Sequence, residues 1–69
     1  MIEVFKTSVA EQAQADTILS ALVNSFPSIR PNFDLDDCDH VLRVEGNGFT
    51  AIQIISFLKC NGHHCEVLN

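Results

Sequence analysis

Residues 60 to 65, Cys60-Asn61-Gly62-His63-His64-Cys65, place two thiols and two imidazoles within six positions of a 69-residue chain. Thiolate and imidazole are the ligands that zinc, nickel and copper ions prefer. A structural zinc site normally takes four of them in a tetrahedron, and a catalytic one three. If a strand begins at His63, successive side chains alternate, so Cys65 and Val67 share a side with His63 while His64 and Glu66 face the other way. The segment by itself then supplies a two-ligand pair at most. The same residues also have structural uses: Gly62 can stop a helix, Cys60 can close its last turn, and Cys65 can be a small buried apolar group.

A second stretch, Asp34-Leu35-Asp36-Asp37-Cys38-Asp39, gathers four carboxylates. Counted as a calcium loop from Asp34, it has Asp36 and Glu45 in ligand positions, but Cys38 and Asp39 stand where an oxygen ligand and a glycine are required. A solvated hairpin tip, whose charge keeps a sheet edge soluble, is the better reading. His40 is a single imidazole without a partner pattern. No paired-carboxylate cleft, nucleophile elbow or phosphate-cradling glycine loop is present, and Gly46-Asn47-Gly48 is too short for the last. The chain is therefore not expected to be an enzyme.

These groups must be positioned by a small fold. Residues 1–69 are expected to form one domain, with 46% hydrophobic residues, three Gly and two Pro. The acidic net charge of -5 opposes binding to nucleic acid or anionic lipid. No apolar run is long enough for membrane insertion, and "MIEVFK" lacks the features of a secretion signal, so a cytoplasmic location is expected. Three Cys without regular spacing argue for reduced thiols rather than a disulfide framework.

Along the chain, "IEVFKT" at 2–7 reads as a strand. Ala15, Ile18, Leu19, Leu22, Val23 and Phe26 then follow helical spacing, with Ser8 and Glu11 predicted as a capping box and Pro27 as the stop. Ile29, Pro31, Phe33 and Leu35 alternate as a strand, which Pro31 restricts to a sheet edge. "HVLRVE" at 40–45 returns as its hairpin partner. Thr50 and Gln53 form a second capping box for a helix whose stripe is Ala51, Ile54, Ile55 and Leu58 and whose stop is Asn61-Gly62. "HCEVL" is the closing strand. The order βαββαβ, with right-handed crossovers, predicts an α+β, ferredoxin-like two-layer sandwich: an antiparallel sheet in order 4-1-3-2 with both helices on one face.

Within that frame, "VAEQAQADTILSAL" (9–22) and "IISFLKCNGHHCEVL" (54–68) resemble the heavy-metal-associated domain of copper chaperones and metal-transporting ATPases. Val9 falls where that family has the Met of its Met-x-Cys-x-x-Cys loop, Ile18 and Leu22 where it has helix-core residues, and Cys65 where it has Ala. Glu11 and Gln14 fall where it has its two thiolates, so the chain resembles a degenerate member without the Cys-x-x-Cys pair. A carboxylate and an amide are poor ligands for Cu(I). The resemblance thus implies a non-catalytic binding domain with no cofactor, acting through contact with a protein partner or a second copy of itself. The alternative is an atypical transition-metal binder for Zn, Ni or Cu using His63 with Glu11 or Cys65. A third class is a small-molecule sensor acting through a dimeric sheet. Homodimerisation finds support in Ile2 and Val4 alternating with Glu3 and Phe5, which leaves apolar groups on both faces of the first strand.

Overall fold

A computed structural model describes residues 1–68; Asn69, the last residue of the span expected to form one domain, lies outside the described residues. The element order is β1 (Ile2–Thr7), α1 (Gln12–Ser25), β2 (Ile29–Asp34), β3 (Val41–Gly46), α2 (Ala51–Cys60) and β4 (Cys65–Val67). The four antiparallel strands lie in the order β2-β3-β1-β4, which is the expected ferredoxin-like sheet read from its other edge. Pro31 sits on the outer strand β2, opposite Val44, where its missing N–H costs no ladder bond.

Period-two alternation sorts the sheet into two faces. Phe5, Thr7, Ile29, Leu42, Val44 and Cys65 face the helices and are buried, where they meet Ala15, Ile18 and Leu22 of α1 and Ile54 and Leu58 of α2. Phe26 and Phe57 close one side of this core with an edge-to-face contact, ring centroids 6.2 Å apart. The opposite face carries Arg30, Asn32, Lys6, Arg43, Glu45 and Glu66 around Ile2, Val4 and Val41. Of the first-strand residues read as apolar on both faces, Phe5 is fully buried, and Ile2 and Val4 belong to this charged mosaic.

Three local expectations are corrected. The first capping box does not form: Glu11 itself is the extended N-cap of α1 and makes no side-chain cap bond, while the Ser8 hydroxyl accepts the His64 N–H at 2.8 Å. Val23 leaves the buried stripe and is 43% exposed, because at 100° per residue it lies roughly 80° round the helix from Ala15. The strands are trimmed as well. β3 begins at Val41 because His40 adopts φ 46°, outside the strand region, and β4 covers Cys65–Val67 although Leu68 N–H still donates to Val4 C=O at 2.9 Å.

The second helix follows its sequence signals closely. Thr50 accepts from Gln53 N–H, and the Gln53 side chain accepts from Thr50 N–H, completing the capping box. At the other end Gly62, at φ 84°, donates to Lys59 C=O at 3.0 Å while His63 N–H donates to Leu58 C=O at 2.9 Å. This pair of bonds is a Schellman motif, and it fixes the direction in which His63 leaves the helix.

Candidate functional site

Antiparallel register brings three connections to one end of the molecule. Thr7, at the end of β1, lies opposite Cys65 at the start of β4, and Lys6 lies opposite Val41 at the start of β3. The β1–α1, β2–β3 and α2–β4 connections therefore meet there, together with the N-terminus of α1 and the C-terminus of α2. All three Cys and all three His of the chain, Cys38, His40, Cys60, His63, His64 and Cys65, belong to this end. The connections at the opposite end, residues 26–28 and 47–50, contain neither type.

Hydrogen bonds hold the three connections in register. Ser8 N–H donates to His64 C=O at 3.1 Å and its hydroxyl accepts from His64 N–H at 2.8 Å, joining the first to the third. Thr7 N–H donates to Asp39 C=O at 3.2 Å, and the Thr7 hydroxyl donates to His40 C=O at 2.7 Å, joining the first to the second. Lys6 Nζ lies 3.8 Å from Asp39 Oδ1.

The residues of "CNGHHC" separate within this end. His63 is half-buried and, with Ala13, Gln14, Thr17, Ile18 and Asn61, lines an open groove of ≈ 290 Å³ between α1 and the end of α2. His64 faces solvent, its Nε2 4.0 Å from Glu66 Oε2. Cys60 is exposed. Cys65 is buried against the helices, and burial pushes its thiol up to about 11, with Lys59 pulling down and Glu66 pushing up by lesser amounts. At neutral pH it is a thiol, whereas a metal ligand is a thiolate. Glu11 is exposed at the start of α1. Glu11, His63 and Cys65 bring no three ligand atoms together within 4.8 Å.

A different group is assembled on the β2–β3 turn, within the stretch read as a solvated hairpin tip. One ligand atom from each of Asp37, Cys38 and Asp39 lies within 4.8 Å of the others, the thiol bracketed by two carboxylates. Asp37 Oδ1 accepts from Asp39 N–H at 2.9 Å, which tightens the turn. The Nδ1 of the adjoining His40 is buried and has no hydrogen-bond partner. The stretch forms the expected turn between β2 and β3; reading it as a calcium loop or a charged tip leaves out the Cys38 thiol as a ligand.

No protein-family model matches the chain, and no curated protein matches it in sequence. Among solved structures, the yeast copper transporter domain Ccc2a, determined in solution in its apo and Cu(I)-loaded states, superposes with a TM-score of 0.82 over 99% of this chain and 94% of that one, at 18% sequence identity. The chain thus has the fold of a heavy-metal-associated domain. The expectation that it takes no cofactor, which rested on Glu11 and Gln14 standing in for thiolates, is corrected by this finding: the shared architecture is that of a domain solved with Cu(I) bound. No helix is long and apolar enough to cross a membrane among the described residues.

The donor set can be tested against such an ion. The β1–α1 connection, residues 8–11, offers a carboxylate and no sulfur, which does not suit Cu(I). The β2–β3 turn and the α2 end offer the exposed thiols of Cys38 and Cys60 and the imidazoles of His40, His63 and His64, which do.

Proposed function

We propose that the chain is a small, non-catalytic domain that handles a soft transition-metal ion, Cu(I) foremost, as cargo at the end where its three connections meet, and that it works by contact with a partner protein. One observation carries this reading: every thiol and imidazole of the chain has been gathered at a single end of a fold shared over nearly its whole length with a copper transporter domain. The donors are spread over two connections rather than closed into one complete site. A partner that contributes its own sulfur or imidazole would complete the ion's coordination, and such an incomplete site favours transfer over retention. His63 is the donor held most firmly by the fold, because the Schellman motif fixes its backbone and α1 flanks its ring.

The test is competition of reduced protein against a chromogenic Cu(I) chelator, with Zn²⁺ and Ni²⁺ as comparison ions. One Cu(I) per chain is expected to bind, and His63→Ala is expected to weaken it about tenfold or more. Failure of micromolar reduced protein to withdraw Cu(I) from the chelator would overturn the reading.

A further inference from the structure

We infer that Thr7 is a positioning residue for this end of the molecule: its buried hydroxyl links the β1–α1 connection to the β2–β3 turn and thereby sets how the donors on the two sides face each other. The inference rests on the functional reading above and adds a residue that offers no ligand of its own.

Thr7 is the buried polar residue of the core among the described residues, 5% exposed. Burying a hydroxyl is unfavourable unless both its donor and its acceptor capacity are used. Here both are: Val9 N–H donates to Thr7 Oγ1 at 3.2 Å, and the Thr7 hydroxyl donates to His40 C=O at 2.7 Å. The two bonds form a relay in which each polarises the next. Val9, whose side chain is fully buried, has its amide engaged in this buried bond, and breaking the bond would leave that N–H without water to replace it. His40 at φ 46° occupies a conformation that non-glycine residues rarely adopt, held between Asp37, whose carbonyl accepts its N–H at 3.0 Å, and Thr7. The residues immediately before His40 are Asp37, Cys38 and Asp39, so the carbonyl that Thr7 fixes is also the one that anchors their turn. On the other side of Thr7, Ser8 is bonded through both backbone and hydroxyl to His64. Two consecutive residues of β1 and its exit thus clamp both donor-bearing connections, and Thr7 holds the one with the strained backbone.

Thr7→Val keeps the shape and removes the relay; Thr7→Ser keeps the relay and is the rescue. In Thr7→Val, amide exchange at Val9 is expected to rise about fivefold to tenfold while amides in the middle of α1 and α2 stay protected. The three-bond amide coupling of His40 is expected to leave its left-handed value, and Cu(I) affinity to fall about tenfold. Thr7→Ser is expected to match the wild type in all three. A purely structural role predicts instead a lower melting temperature with exchange rising throughout the sheet and Cu(I) affinity unchanged in the folded fraction. Unaltered exchange at Val9 and unaltered coupling at His40 in folded Thr7→Val would overturn the relay. If that variant does not fold, wild-type protein decides: a slowly exchanging Thr7 hydroxyl proton with a nuclear Overhauser effect to Val9 N–H supports the relay, and its absence overturns it. Should the wild type bind no Cu(I), the functional reading falls and with it the positioning role. Equal Cu(I) affinity of wild type and Thr7→Val would remove the positioning role and leave the functional reading standing.

Discussion

Raising the pH from 8 to 11 should destabilise this protein through one thiol. Cys65 packs in the core 3% exposed, and burial lifts its thiol from 9.0 to about 11. Its folded-state value exceeds its unfolded value, so the folded state holds the proton more tightly. The stabilisation is complete below about pH 9 and drains away as pH climbs through the window from 9.0 to about 11. Two pH units of linkage correspond to about 2–3 kcal/mol, a large share of the ~5 kcal/mol expected of a domain this size. The melting temperature should fall by roughly 10–20 °C across that window. The chain has no Tyr and no Trp, so no phenol titrates alongside, and far-UV circular dichroism under reducing conditions is the suitable readout. Cys65→Ala supplies the control. It should cost about 1 kcal/mol at pH 7 for the lost sulfur, yet remove most of the alkaline slope, so that wild type and variant converge and then cross as pH rises. A flat wild-type profile between pH 8 and 11, or an equal slope in Cys65→Ala, would refute the reasoning.

The same burial governs thiol chemistry. At pH 8 about one Cys65 in a thousand is thiolate, against about one in ten for a thiol at its ordinary value, so alkylation followed by mass spectrometry should label Cys38 and Cys60 in the native state and Cys65 only after denaturant. Thr50→Ala removes the side-chain half of the α2 capping box and should cost about 1 kcal/mol in a urea titration. Gly46→Ala should be far worse: at φ 132° the added Cβ would stand 2.3 Å from Ser28 C=O, against backbone that cannot yield, and a loss of at least about 2–3 kcal/mol is expected by the same assay. Glu11→Gln should leave Cu(I) affinity within about twofold of wild type, since a solvent-facing carboxylate is a poor match for a soft ion.

Sequence periodicity carried the architecture because the core needed it. Ala15, Ile18 and Leu22 could be buried only by a helix, and Phe5, Leu42 and Val44 only by strands of alternate facing. Pro31 marked the sheet edge for a covalent reason, its missing N–H, and Thr50 with Gln53 marked a helix start through bonds three residues apart. What failed was whatever depended on a distant partner. Ser8 and Glu11 match a capping box as well as Thr50 and Gln53 do, but the Ser8 hydroxyl is claimed by an amide 56 residues away. His63 is paired with Glu11 by the resemblance to heavy-metal-associated domains. The Schellman turn before β4 sends it over Gln14 and Thr17 instead. The stretch at 34–39, weighed as a calcium loop, reads as a solvated hairpin tip; that a ligand atom of Cys38 lies within 4.8 Å of one from Asp37 and one from Asp39 depends on turn geometry, which the order of residues does not give.

Helix polarity gives the donor-bearing end an internal asymmetry that bears on where a cation would settle. The N-terminus of α1 presents partial positive charge there, and the C-terminus of α2 presents partial negative charge. A metal ion at the start of α1 would need anionic thiolates to offset the helix, which the chain lacks at residues 8–11. Toward the α2 end the field itself favours a cation, and Cys60 and His63 lie within that last turn and its cap, while Cys38 and its flanking carboxylates add negative charge from the neighbouring turn. With no sulfur on the first connection, an ion handled as proposed would be favoured across the same end of the fold, toward donors held by α2, and the Thr7 and Ser8 bonds tie the two sides of that end together.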